Sequence, residues 1–142
     1  MRALLDVNVL IALLDSDHLH HAAAATWLKE NIRTGWASCP LTQNGCIRIM
    51  SQTGYPNALP AAAIAERLAA ATATTHHVFW PDAISMLDAG RIAWNAVLGA
   101  RQVTDVYLLT LAVQQGGRLV TLDRAVPLKA VPGAKPRHLV VI

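Results

Sequence analysis

The feature of this sequence that most constrains its fold is the alternation of short apolar runs with longer segments of helical periodicity. The first run, residues 3–5, is followed at once by Asp6 and then by a helical pattern from Asn8. Short continuous apolar runs are typical of strands buried on both faces, and strands that alternate with helices favour a mostly parallel sheet between helical layers. The sequence therefore predicts an α/β fold, a three-layer α/β/α sandwich around a mostly parallel sheet of about five strands.

The bounds of these elements follow from periodicity and from the positions of glycine, proline and capping residues. We expect strands at residues 3–5, 36–38, 77–80, 118–121 and 138–142. We expect helices at residues 8–14, 18–31, 41–51, 60–73, 88–98 and 105–115. The polar cluster at residues 15–17 should cap the second helix, and Thr104 should cap the last one. Residues 1–142 contain no internal repeat and no linker, so we expect one domain.

The composition excludes a disordered chain and leaves the partners open. Of the residues, 54% are hydrophobic and 15% are charged, which is too apolar for global disorder. Two explanations remain for the high apolar content: a partner covers part of the surface, or alanine inflates the count. The net charge of +3 is compatible with nucleic acid binding but does not require it.

The two cysteines and the first residues of the chain indicate the cellular compartment of the protein. Cys39 and Cys46 would lie two helical turns apart, roughly 10 Å along the axis, which is too far for a disulfide. We therefore expect two reduced, buried thiols, as in cytosolic proteins. No apolar run reaches the roughly 20 residues of a membrane span, and Asp6 comes too early for a signal peptide. These observations predict a cytoplasmic protein.

Three aspartates fall where a parallel sheet would bring them together. Asp6 follows the first strand, Asp123 follows the fourth, and Asp105 begins the helix that leads into the fourth strand. The carboxyl ends of parallel strands meet at one edge of the sheet, where ligands bind. Clustered carboxylates repel one another unless a cation neutralises them. Ligands that are all oxygen suit a hard ion, Mg²⁺ or Mn²⁺.

Each aspartate also has an ordinary structural interpretation. Asp6 could simply cap the first helix. Asp105 could be an acid that complements the helix dipole, and Asp123 could be a turn residue. Only their joint placement at one edge favours a functional site.

Four segments resemble, in the right order and over nearly the whole chain, the successive motifs of PIN domains, VapC-type toxins in particular. They are LLDVNVL at residues 4–10, CPLTQNG at 39–45, VTDVYL at 103–108 and LVTLDR at 119–124. The resemblance implies a parallel sheet in an α/β/α sandwich, Mg²⁺-dependent endoribonuclease activity with Mn²⁺ as a substitute, and a cognate antitoxin that blocks the site. A homodimer is also expected.

The resemblance further assigns roles to residues. Asp6 and Asp105 match the principal metal ligands, and Asp123 matches a further acid of the catalytic pocket. Asn8 and Thr121 match polar residues that support these acids. In the mechanism this implies, a metal-activated water cleaves the RNA phosphodiester bond and Asp123 orients that water or a second ion. Attack by the RNA 2′-hydroxyl ranks lower, because the sequence has no obvious pair of histidines for it.

Gln43 departs from the motif, since many relatives carry an acid at this position. A neutral amide oxygen can still bind a metal or its water, but it supplies no charge. We therefore expect a second metal ion to bind weakly or not at all. Arg48, about one helical turn beyond Gln43, and Arg124, beside Asp123, are candidates to contact RNA phosphates.

Other interpretations remain open. Gln43 favours a PIN-like module that has lost activity and acts through antitoxin or RNA binding. A phosphatase or a receiver domain also places aspartates at strand ends, but a phosphatase would want an acid where the chain has Asn8. His18 and His21 are spaced to share a zinc ion, although no third ligand has matching spacing. The four tryptophans could stack on bases, but scattered tryptophans are more often core or interface residues.

Overall fold

The computed structural model describes all 142 residues and has a parallel sheet between helical layers. The strands are β1 (Ala3–Leu5), β2 (Trp36–Ser38), β3 (His77–Phe79), β4 (Arg118–Thr121) and β5 (Leu139–Val141). The helices are α1 (Val7–Leu14), α2 (His21–Asn31), α3 (Pro40–Met50), α4 (Ala61–Thr72) and α5 (Gln102–Gln114). The strand order is β3-β2-β1-β4-β5, and every neighbouring pair is parallel. The predicted fold class is confirmed.

The sheet is buried on both faces because its side chains alternate between two apolar cores. Ala3 and Leu5 point into one core, which contains residues of α1, α3 and α4. Leu4 points into the other, which contains α5 and the irregular segments that precede and follow it. This explains why the central strand reads as a continuous apolar run. No helix is long and apolar enough to span a membrane.

The predicted helix at residues 88–98 is wrong. Only Trp94–Ala96 form a single 3₁₀ turn there. Gly90 adopts φ +73°, in the left-handed region. The amide of Ala93 donates to the carbonyl of Ala130 at 2.9 Å instead of to a helical neighbour, and Ile92 is buried in the core beside α5. Long-range packing therefore replaces local helix formation in this segment.

Both predicted helix caps are also wrong. The second helix begins at His21, not at 18, and its preceding residue makes no side-chain cap. The Asp15 carboxylate accepts from the Asp17 amide and the Tyr55 hydroxyl and not from an amide of this helix. The last helix begins at Gln102, so Thr104 lies inside its first turn. The amide of Gln102 donates to the carbonyl of Gly99, which starts the turn earlier than expected.

Candidate active site at the carboxyl edge of the sheet

The first aspartate, Asp6, lies between the end of β1 and the start of α1 and is 5% exposed. Its Oδ1 accepts from the amide of Val7 at 2.7 Å, so it does cap α1. Its Oδ2 accepts from the hydroxyl of Thr121 at 2.6 Å. Burial raises the pKa of Asp6, the hydrogen bonds from Thr121 and Val7 lower it, and the charge of Asp123 raises it again. The net effect is a raised pKa.

The second aspartate, Asp105, is in the first turn of α5 and is 8% exposed. Burial, then the charges of Asp6 and of Asp123, raise its pKa to about 6. The fold therefore brings residues that are far apart in sequence close enough for the charges of Asp6 and Asp123 to act on Asp105, and for the charge of Asp123 to act on Asp6. A cation between them would relieve both the repulsion and the cost of burial.

The third aspartate, Asp123, follows β4 and is half-buried. Its Oδ1 accepts from the amide of Ala125 at 2.7 Å, and its own amide donates to the hydroxyl of Thr121 at 3.0 Å. The expected turn role is thus real, and it holds the carboxylate at the edge of the site. A cavity of about 520 Å³ adjoins it and is also lined by Arg101.

Thr121 and Asn8 connect these acids. The Thr121 hydroxyl accepts from Nδ2 of Asn8 at 3.2 Å, and Oδ1 of Asn8 accepts from the amide of Leu122 at 3.1 Å. The turn after β4 is thereby tied to α1, and the hydroxyl proton of Thr121 is directed at Asp6. The structure gives both residues contacts that suit the supporting role expected of them.

No three His, Cys, Asp or Glu side chains are arranged as a ready-made metal-binding group. The donor chemistry nevertheless fits a hard ion. Mg²⁺ is usually bound through one or two carboxylates and keeps several waters, and the carboxylates of Asp6, Asp105 and Asp123 are ligands of that kind.

Gln43 does not point freely into the site. Its Nε2 donates to the hydroxyl of Ser38 at 3.0 Å, and that hydroxyl is 2.8 Å from Nε2 of His77. Sequence reasoning did not single out Ser38, and it interprets His77 as structural. Ser38 is the last residue of β2, so the rule that singled out Asp6, a polar residue at the carboxyl end of a strand, would have found it.

The remaining candidates lie outside this network. Arg48 and Arg124 are exposed, as residues that contact phosphates would be. His18 accepts from the amide of His20, and the His21 ring nitrogen contacts the carbonyl of Ala12 at 2.7 Å, so neither supports the zinc alternative. Trp36 and Trp80 are buried and Trp94 is 47% exposed.

The two thiols are unpaired and buried, as expected. Cys39 precedes α3 and Cys46 lies within it. Burial raises the pKa of Cys46 to about 11 and also raises that of Cys39. Neither thiol is a nucleophile at neutral pH.

Comparison with known proteins places this geometry in context. Residues 3–133 match the PIN domain family. The chain is 49% identical over 142 residues to Ribonuclease VapC44 of Mycobacterium tuberculosis, covering all of both chains. It is 45% identical over 135 residues to Ribonuclease VapC39 of the same organism, covering 94% of this chain and 96% of the relative. Its fold is similar, with a TM-score of 0.60 and 11% identity, to a chain in the crystal structure of VapBC2 from Rickettsia felis bound to a DNA fragment from their promoter; the match covers 100% of this chain and 98% of that one.

Proposed function

The chain belongs to the PIN domain family, and from that premise we propose that it is a metal-dependent endoribonuclease that acts as the toxin of a toxin–antitoxin pair. The observation that carries the proposal is the position of three aspartates at one edge of the sheet: Asp6 follows β1, Asp105 is in the first turn of α5 and Asp123 follows β4, and the charges of the other two raise the pKa of Asp105. The full-length similarity to proteins named ribonucleases supports RNA as the substrate.

PIN-domain ribonucleases are in general metal-dependent, and we propose Mg²⁺, with Mn²⁺ as a substitute, as the ion. Asp6 and Asp105 would hold it, since both are buried and offer only oxygen. When bound, the ion supplies Lewis-acid activation of water and neutralisation of phosphate charge.

The chain's own residues then have distinct tasks. Thr121 and Asn8 keep the Asp6 carboxylate fixed. Asp123, held by its turn, orients the attacking water through its other oxygen. Arg48 and Arg124, whose side chains are exposed, would contact phosphates of the RNA.

A cleavage assay tests this function. The chain should cut RNA with Mg²⁺ and stop in EDTA, and Asp6→Asn or Asp105→Asn should reduce cleavage by at least a hundredfold. Asp88→Asn is the matched control, because Asp88 is an exposed aspartate whose carboxylate pairs only with Arg91. Equal cleavage by Asp6→Asn and Asp88→Asn would refute the proposal.

A second candidate function is a PIN-like binding module without activity. The neutral Gln43, held by Ser38, is the observation in its favour. In that case the chain would bind RNA or an antitoxin without cleaving RNA. Any residual cleavage in the sample would then be unchanged by Mg²⁺ and by the aspartate substitutions.

The partner of the proposed toxin is an antitoxin protein. An apolar groove of about 310 Å³ runs between α1, α2 and α4 and is lined by Leu13, Leu28 and Leu68 among others. An uncovered apolar groove marks a surface for a partner, and the similar fold in a VapBC2 structure supports an antitoxin as its occupant. Leu28→Glu should abolish co-purification with the protein encoded by the neighbouring gene, whereas the exposed Leu87→Glu should not.

Two further properties complete the proposal. Exposed apolar side chains such as Phe79 and Leu98 support a homodimer, which sedimentation of the purified chain would show or exclude. The two unpaired thiols support a reducing, cytoplasmic location, which microscopy of a tagged chain would test.

A further inference from the structure

Gln102, the first residue of α5, connects two segments of the chain beside the candidate active site. Its Oε1 accepts from the amide of Leu98 at 2.8 Å, and its Nε2 donates to the carbonyl of Ala125 at 3.0 Å. A backbone amide only donates and a carbonyl only accepts, so these two partners fix which end of the side-chain amide faces which segment. Both ends of the Gln102 amide are therefore bound, and the side chain bridges residues 98 and 125.

One of the bridged segments is the turn that carries Asp123. The amide of Ala125 donates to Oδ1 of Asp123 at 2.7 Å, and the carbonyl of Ala125 accepts from Gln102. Two hydrogen bonds therefore lead from the side chain of Gln102 to the carboxylate of Asp123. In the proposed function, this carboxylate orients the attacking water.

The other bridged segment leads into the helix that carries Asp105. Gln102 and Asp105 are three positions apart in α5, so they are neighbours on the helix surface. Gln102 and Asp123 line the same cavity of about 520 Å³. The bond from Gln102 to Ala125 thus joins the start of α5, close to one acid, to the turn that holds another.

The turn of Asp123 has separate supports at its two ends. At its start, the amide of Asp123 donates to the hydroxyl of Thr121, and the amide of Leu122 donates to α1. At its end, Ala125 is exposed, and no other group of the chain donates to its carbonyl. Packing therefore does little to hold this end, and Gln102 is its support.

We propose that Gln102 is a positioning residue of the active site, which holds the turn of Asp123 against the start of α5 and so fixes the Asp123 carboxylate relative to Asp105. This inference rests on the proposed function, because it adds a residue to the same site. Glutamine suits the task since its planar amide accepts and donates at once. Both bonds are exposed, so water can replace them with little loss of stability, and their loss should affect position more than folding.

Amide hydrogen exchange, followed by NMR on the metal-free chain, tests the bridge without RNA cleavage. In Gln102→Met the amides of Leu98 and Ala125 should exchange about tenfold faster, with almost the same midpoint of urea denaturation. In Gln102→Glu the carboxylate still accepts from Leu98 but cannot donate to Ala125, so only the Ala125 amide should exchange faster. Gln114→Met, at the exposed other end of α5, is the matched control and should change neither.

Unchanged exchange at Ala125 in both Gln102 variants would overturn the proposal. If Gln102→Met does not fold, Gln102→Glu decides alone, because it keeps one of the two bonds.

Cleavage kinetics with Mg²⁺ test whether the bridge acts through Asp123. Gln102→Met should lower kcat about tenfold and change KM less than about twofold, because it disturbs orientation and not RNA binding. In an Asp123→Asn background the same substitution should have no further effect, since the carboxylate that it positions is already gone. An equal loss in both backgrounds, or no loss in the unmodified chain, would overturn the proposal. If Asp6→Asn cuts RNA normally, the nuclease proposal itself fails, while hydrogen exchange still shows whether the bridge holds the turn.

Discussion

The hydroxyl of Thr121 donates a 2.6 Å hydrogen bond to Oδ2 of Asp6, although 115 positions separate the two residues in the chain. The same hydroxyl accepts from Nδ2 of Asn8 and from the amide of Asp123. Because both lone pairs of the hydroxyl oxygen accept hydrogen bonds, its proton is directed at the Asp6 carboxylate. The neighbouring strands β1 and β4 are thus joined at the point where their acids lie, and the bond fixes the orientation of a buried carboxylate.

Thr121→Val keeps the shape of the side chain and removes this bond. We expect the free energy of unfolding to fall by about 1–3 kcal/mol, because the Asp6 carboxylate and the Asn8 amide lose a partner while buried or half-buried. RNA cleavage should fall as well, since Asp6 is no longer held in one orientation. Urea denaturation and the cleavage rate measure the two effects. Thr121→Ser restores the hydroxyl and should recover both; a valine variant as stable and active as the unmodified chain would contradict the role given to this bond.

Asp105 should make the metal-free protein less stable as pH rises. Its pKa is 3.8 in the unfolded chain and about 6 in the fold. Between these values the unfolded chain has released a proton that the folded chain retains, so the free energy of unfolding declines as pH increases through this window. Over this pH range, the free energy of unfolding of the Asp105→Asn variant should fall by about 1–3 kcal/mol less than that of the unmodified chain.

The unmodified chain must be compared with the Asp105→Asn variant because other groups titrate in the same pH range. Burial lowers the pKa of His77 and of His138, and these residues act in the opposite direction below pH 6.5. Their contribution cancels when the variant is subtracted. Thermal unfolding in EDTA from pH 4 to pH 7 gives the difference, and adding Mg²⁺ should abolish it. If the unfolding temperatures of the two proteins in EDTA change with pH in parallel, the pKa of Asp105 is not raised in the fold.

Gln43 should limit the number of metal ions. Its amide supplies no charge, and its Nε2 is bound to Ser38, so we expect one Mn²⁺ per chain with a second bound weakly or not at all. In Gln43→Glu, a second ion should bind measurably more tightly. Calorimetric titration of Mn²⁺ into both proteins tests this, and unchanged stoichiometry and affinity would count against it.

The contact between α1 and α3 depends on a glycine. A Cβ added to Gly45 would lie 2.7 Å from Cγ2 of Val7, closer than real Cβ atoms approach. Gly45→Ala should therefore destabilise the fold by about 1–3 kcal/mol, although alanine alone would favour a helix by roughly 1 kcal/mol. Chemical denaturation measures the loss. Adding Val7→Ala should restore stability, and Gly54→Ala, in open space, should cost little; a stable single variant would mean that the helices separate without cost.

Sequence reasoning predicted those elements whose structure is decided locally or by burial. The strands at Ala3–Leu5 and Trp36–Ser38 were predicted because continuous apolar residues serve both cores. The encounter of Asp6, Asp105 and Asp123 was predictable from topology alone, since parallel strands align their carboxyl ends. Their roles as metal ligands remain a prediction.

Two of the wrong predictions involve residues whose hydrogen-bond partners are distant in the chain, whereas the early start of α5 has a local cause, the bond from the Gln102 amide to the Gly99 carbonyl. The amide of Ala93 donates to the carbonyl of Ala130 and not to a helical neighbour, and the carboxylate of Asp15 accepts from the hydroxyl of Tyr55. No window of local sequence contains both Ala93 and Ala130, or both Asp15 and Tyr55.

Because β1 has only three residues, its length limits the sequence changes that this site tolerates. Side chains in a strand point alternately to opposite faces, so one inserted residue reverses the face of every residue beyond it. With only three residues before Asp6, paired on both sides with β2 and β4, β1 has no spare length in which to absorb such a shift. A substitution in β1 therefore affects one side chain. An insertion or deletion of one residue would instead move Asp6 away from Thr121 and would turn the side chains of β1 from one core to the other.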